Sequence, residues 1–123
     1  MYLLDSSVAI ELMSAGKRSE TALNAIGDKH VSICPFTIHE VLFGLENASD
    51  EYLNFVNNIE ILNYDKESSE ISSKLDKEMS KQGNKLGLID MLIASVAIRN
   101  NLTLVTFDKD FSRIKGLAVK FLA

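Results

Sequence analysis

The chain has 123 residues, 46% of them hydrophobic and 24% charged, with a single Cys, a single Pro and no Trp. That length suits one domain that buries about two-thirds of its unfolded surface without disulfides or a structural metal, and the apolar content excludes a disordered chain. A formal net charge of −4 argues against a protein that coats DNA by electrostatics alone.

Tyr2-Leu3-Leu4 is a short apolar run ending at Asp5, and the pattern Val8, Ile10, Leu12, Met13 behind it predicts a helix capped by Asp5, Ser6 or Ser7 and ended near Gly16. A second short helix is expected from Arg18 to Ile26, then a strand over Val31–Cys34. Pro35 breaks that strand, and a helix is predicted from about Thr37 to Leu45. Another helix covers Asp50 to Asn57, capped by Ser49 or Asp50, and Ile59–Leu62 is a third strand. Ile71, Leu75 and Met79 recur every fourth position between Ser68 and Gln82, the stripe of an amphipathic helix. Gly83 and Gly87 bracket a loop, Leu88–Asn100 forms an apolar helix, and Thr103–Thr106 and Ala118–Phe121 close the set as strands. Short apolar strands separated by helices imply a mostly parallel four- to five-stranded sheet covered on both faces, a three-layer α/β/α sandwich. No repeat or linker interrupts the pattern, so residues 1–123 are expected to form one domain. No apolar run nears the roughly 18 residues of a membrane span. The start lacks the basic segment of a signal peptide, and a cytoplasmic protein is expected. Cys34, between Ile33 and Pro35, reads as a small buried hydrophobe.

In such a sheet, ligands bind outside the carboxyl ends of the strands. Asp5 follows the first strand, Asp108 and Asp110 follow the fourth, Glu40 lies in the first turn of the helix after the second, and Asp90 opens the apolar helix that leads into the fourth. Acids converging on one edge repel one another, and a divalent cation is the usual remedy; oxygen-only ligands suit Mg²⁺ or Mn²⁺. Each acid also has a purely structural reading. Asp5 serves as a helix cap, Thr37-Ile38-His39-Glu40 fits a capping box, Asp90 meets a helix dipole, and Asp108 and Asp110 are ordinary turn residues.

Leu4-Asp5-Ser6-Ser7, Glu40 with Gly44, Ile89-Asp90-Met91-Leu92-Ile93-Ala94 and Val105-Thr106-Phe107-Asp108-Lys109-Asp110-Phe111, in this order, cover nearly the whole chain. With them the sequence resembles the PIN-domain family, specifically its small VapC-type toxin ribonucleases. The resemblance implies a Mg²⁺- or Mn²⁺-dependent endoribonuclease in which Asp5 and Asp90 are metal ligands and Glu40 and Asp108, or Asp110, complete the acidic cluster. Ser7 and Thr106 match small hydroxyl positions that support the site. Phe107 departs from the pattern, standing where an Asn often follows the threonine, and Asp108 is preferred over Asp110 as the fourth acid. A small VapB-like antitoxin and a homodimer are the implied partners.

Residues 1–61 hold nine acids against three bases and residues 62–123 hold eight against ten, so RNA would have to meet a local basic patch or a metal. Lys109, Arg113 and Lys115 lie near the fourth acid and are the candidates for phosphate contacts. Lys74, Lys77, Lys81 and Lys85 form a helical stripe that reads as a solvated face, with Glu70 pairing to Lys74. His30 and His39 lack the setting of a catalytic pair, and Cys34 has no basic neighbour to activate it. Three other classes compete: a housekeeping RNA-processing nuclease of the same type, a receiver-like binding module with Asp65 as acceptor, and a haloacid-dehalogenase-type phosphatase. The last needs an acid where Ser7 stands, and a receiver usually has paired acids where Ser6 and Ser7 follow Asp5.

Overall fold

Five short strands order the molecule. β1 (Tyr2–Leu4), β2 (Val31–Ile33), β3 (Glu60–Ile61), β4 (Thr103–Thr106) and β5 (Val119–Phe121) form one sheet in the order β3-β2-β1-β4-β5, every pair parallel. The coordinates are a computed structural model that describes residues 1–47, 49–83 and 86–123. Helices α1 (Ser6–Ser14), α2 (Ser19–Ile26), α3 (Pro35–Phe43), α4 (Asp50–Asn57), α5 (Lys66–Lys81) and α6 (Leu88–Arg99) cover both faces. The central register, Leu3 opposite Leu104 and Leu4 opposite Val105, sends alternate side chains to opposite faces. Leu3 and Leu104 pack with Met91, Ile93 and Val96 of α6 and Leu75 and Met79 of α5. Leu4 and Val105 pack with Val8 of α1 and Ala22 and Ile26 of α2. Ala9, Val41 and Tyr52 join α1 to α3 and α4. The α/β/α sandwich expected from the alternation of strands and helices is therefore present, with the sheet fully parallel.

Several boundaries differ from the sequence expectation, each for a local reason. α3 begins at Pro35, two residues before the predicted start. Proline at the first helical position has no N–H to satisfy and its fixed φ suits the helix, so here it starts the element as well as ending the strand. Thr37 then lies inside the first turn, where its N–H donates to the Cys34 carbonyl at 3.0 Å. There is no capping box, and Glu40 belongs to the second turn rather than the first. α5 likewise starts two residues early: Asp65 caps it, accepting from the Ser68 N–H and hydroxyl, each at 2.8 Å. A polar first turn carries no apolar stripe, so periodicity missed it. Glu70 pairs with Lys66 at 3.1 Å, not with the expected Lys74. Lys85 of the basic stripe lies outside the described residues. α1 ends on Ala15, whose φ of 51° is left-handed, one residue before the glycine expected to end it. Cys34 is buried, as expected.

A 3-10 turn over Lys109–Arg113 follows β4 where only turn residues were expected. It drives Phe111, 1% exposed, into the core beside α6 and so pins the loop that carries Asp108. Among the described residues no helix is long and apolar enough to cross a membrane. Replacing Phe111 with Ala should cost about 3–5 kcal/mol of unfolding free energy, read as a lower urea midpoint. An unchanged midpoint would mean that the turn is not anchored through this ring.

Candidate active site

The topology places the site. Chain order runs from β1 outward to β3 on one side, then returns to β4 and β5 on the other. The switch falls between β1 and β4, and the crevice outside the carboxyl ends of such a pair is the standard binding position in an open parallel sheet. Asp5 leaves β1 at that point, and Thr106 is the last residue of β4.

Asp5 is 4% exposed, and both of its carboxylate oxygens are held. Oδ1 accepts from the Ser7 hydroxyl at 2.7 Å and from the Val8 N–H at 3.1 Å, while Oδ2 accepts from the Thr106 hydroxyl. Thr106 Oγ1 itself accepts the Asp108 N–H at 2.9 Å, and Ser7 Oγ accepts the Phe107 N–H at 3.3 Å. Two strands and two loops are thus tied through one carboxylate. Burial pushes the Asp5 carboxyl up, the Thr106, Ser7 and Val8 hydrogen bonds pull it down, and Asp108 adds a further upward push; the net direction is up. Asp5 therefore caps α1, as one reading of the sequence had it, and also stands in the acid cluster.

Asp90 lies in the first turn of α6. α6 runs back to the start of β4, so its N-terminus sits at the carboxyl edge. Burial first, then the charges of Glu40, Asp108, Asp5 and Asp110 in that order, push the Asp90 carboxyl up to about 6. Acids from three other stretches of chain thus bring their charge to bear on Asp90 at this edge. Glu40 reaches in from α3, its Oε1 accepting from the Ser6 hydroxyl at 2.6 Å. Asp108 caps the 3-10 turn by accepting the Asp110 N–H at 2.9 Å. Asp110 acts on Asp90 more weakly and pairs with Arg113 at 3.1 Å.

The basic candidates divide. Lys109 stays beside the cluster, its Nζ 5.6 Å from the Phe121 ring centroid, at a depression of about 250 Å³ that Asp108 and Ser112 also line. Arg113 is engaged by Asp110. Lys115 does not stand next to the site: it lines a depression with Ile71, Leu75 and Ile98, and Ile98 is about 12 Å along α6 from Asp90 at the usual rise. Following in sequence did not mean neighbouring in space, because the 3-10 turn carries the chain away. Ser6, read only as a possible cap, proves to be the anchor of Glu40. Its hydroxyl beside Asp5 was the available signal.

Among the described residues no three His, Cys, Asp or Glu side chains form a ready-made metal cage. The donor set nonetheless fits a hard divalent cation. All its atoms are oxygens, their charges oppose one another, and Mg²⁺ typically keeps several waters and takes one or two protein carboxylates. Asp5, already oriented by its hydrogen bonds, and Asp90, on which Glu40 and Asp108 act more strongly than Asp5 does, are candidates to hold such an ion.

The strand order also removes the receiver-like alternative. That fold follows the order 2-1-3-4-5, with strand three beside strand one; here β3 is an edge strand, and Asp65 caps α5.

The PIN domain family model matches residues 2–117. A protein named Ribonuclease VapC1 from Rickettsia felis is 30% identical over 95% of this chain and 92% of its own length. The tRNA(fMet)-specific endonuclease VapC of Shigella flexneri is 25% identical over 94% of this chain and 93% of its own. The fold also matches a chain in the crystal structure of VapBC2 from Rickettsia felis bound to a promoter DNA fragment, with a TM-score of 0.81, 24% identity and coverage of 98% and 97%. The chain belongs to the PIN-domain family, and within it to the VapC type.

Because the folded-state value for Asp90 lies above its ordinary 3.8, the folded protein takes up a proton on this group that the unfolded chain does not. The resulting stability is fully present below the unfolded value and is lost as pH rises through about 6. In chelator at pH 7.5, Asp90→Asn should therefore melt above the wild type, by about 2–5 °C, with the gap narrowing as pH falls through about 6 and closing only near the ordinary value of 3.8. A variant that melts below the wild type at pH 7.5 would show that Asp90 is not under repulsion.

Proposed function

We propose that the protein is a Mg²⁺- or Mn²⁺-dependent endoribonuclease that hydrolyses RNA phosphodiester bonds in the cytoplasm as the toxin of a toxin–antitoxin pair, with a VapB-like antitoxin as partner. The observation that carries this reading is the crowding of Glu40, Asp108, Asp5 and Asp110 onto Asp90 at the switch point of the sheet. The ribonuclease names of its relatives agree with that chemistry.

Asp5 and Asp90 would hold the ion. When bound, it supplies an acidified water and neutralises charge that develops on the phosphate. Asp5 is kept from rotating by Ser7 and Val8 on Oδ1 and Thr106 on Oδ2, which leaves acceptor capacity on Oδ2 for a cation. Glu40, tethered by Ser6, and Asp108, tethered at the 3-10 turn, would orient the attacking water and accept its proton. Lys109 is the nearer of the sequence-expected cations for the RNA backbone. His39 lines a depression of about 390 Å³ with Ser6, Ile10, Glu40, Phe43 and Ile89. Phe43 is 86% exposed there, and Leu88, next to Ile89 in the chain, is 64% exposed. An apolar rim of this kind supports an antitoxin segment or a second copy of the chain as the macromolecular partner.

Purified protein incubated with tRNA and rRNA should cut only when Mn²⁺ or Mg²⁺ is added, and Asp90→Asn should lose at least about a hundredfold in rate. Equal cutting by the variant, or by wild type in chelator, would overturn the assignment.

A further inference from the structure

We propose that Arg18 is an RNA-binding residue that takes a phosphate flanking the cleaved bond, held at the rim of the acid cluster by Glu11, Gly16 and Phe107; the inference rests on the ribonuclease reading above. Arg18 sits in the turn between α1 and α2. An exposed arginine ordinarily samples many rotamers, but here Glu11 holds the backbone N–H and two further contacts hold the guanidinium. The Arg18 N–H donates to Glu11 Oε2 at 3.1 Å, Glu11 Oε1 faces Arg18 Nε at 3.5 Å, and the guanidinium carbon lies 3.8 Å from the centroid of the Phe107 ring. The Glu11 side chain is 19% exposed against 50% for Arg18, so the carboxylate is the sheltered mount and the guanidinium the presented group.

Gly16 makes room for that mount. A Cβ at this position would fall 2.0 Å from Glu11 Oε2, and Gly16 is not among the residues with positive φ. A Cβ here would oblige the Glu11 carboxylate to swing away from its place beside Arg18, so the glycine serves the carboxylate's position and not a left-handed turn. Phe107 connects the mount to the acids. It stands between Thr106 and Asp108, and its N–H donates to Ser7, whose hydroxyl donates to Asp5. The position that departs from the family pattern thus supplies the face on which the arginine rests. With Nε turned toward Glu11, no other described residue pairs with the two Nη groups, and their planar fork matches a phosphate's oxygens. RNA approaching a cluster of carboxylates is repelled unless cations flank it. Arg18 provides one on the Phe107 side, as Lys109 does on the Phe121 side.

Binding of a fluorescein-labelled unpaired RNA is measured by anisotropy from 50 to 200 mM KCl in an Asp90→Asn background, and cleavage with Mn²⁺ in the wild-type background. Arg18→Gln should weaken binding about tenfold and flatten the slope of log affinity against log salt by about 0.7, the value for one lost phosphate contact on a single strand. In cleavage it should raise KM with kcat within about twofold. Arg18→Lys should keep the salt slope. Glu11→Ala removes a negative charge and on charge alone would tighten binding; a positioning role requires that it weaken binding, as Gly16→Ala should also. Unchanged affinity and slope in Arg18→Gln, or tighter binding in Glu11→Ala, would overturn the proposal. Wild type that binds RNA with Arg18-dependent affinity yet never cuts it would instead overturn the nuclease reading.

Discussion

Carboxylates brought together in a half-buried crevice repel one another, and desolvation adds to the cost of keeping each ionised. In this protein four distant stretches of chain deliver acids to the carboxyl edge of the sheet, and Asp90 bears the consequence most heavily. Much of the surrounding structure acts against that repulsion. β1 and β4 are locked in register by their own ladder, and the Asp5–Thr106 hydrogen bond continues the same tie beyond the strand ends. Ser6 restrains Glu40 and the 3-10 turn restrains Asp108. A protein concerned only with stability would gain by replacing Asp90 with an uncharged residue.

How much of this was legible in the sequence follows from the range of each interaction. Strands such as Leu3-Leu4 and Thr103–Thr106 declare themselves because burial on both faces demands unbroken apolar runs. Helix starts were less visible. Pro35 marks a strand end and a helix start with the same residue, and the polar first turn of α5 has no stripe to detect. The acids were found from their positions after strands, although the Thr37–Glu40 spacing suggested a capping box that does not exist. Asp5 and Asp108 serve as caps and as members of the cluster at once, so the structural and functional readings of those two residues were never exclusive. Arg18 on Phe107 could not be read in advance, because no local pattern links residues so far apart in the chain. Lys115 was misplaced for the opposite reason: nearness in sequence overstated nearness in space.

At 30% identity or less, the relatives align over nearly the full chain, and the fold match is close at a TM-score of 0.81. What tolerates such divergence is the layered core, where volume and apolar character suffice. The edge acids are not all explained by stability: Asp5 and Asp108 also act as caps, but Asp90 is held against burial and like charge. Their joint presence, with Thr106 and Ser7 already committed to Asp5, points to a ligand that offsets the charge.

The central claim is that Asp5 and Asp90 share one cation. A crystal soaked in Mn²⁺ and measured at the manganese absorption edge addresses it directly. The account requires an anomalous peak within direct coordination distance of both carboxylates, absent from crystals of Asp90→Asn. A peak bound only to surface acids such as Glu60 or Asp65, with none between residues 5 and 90, would contradict it.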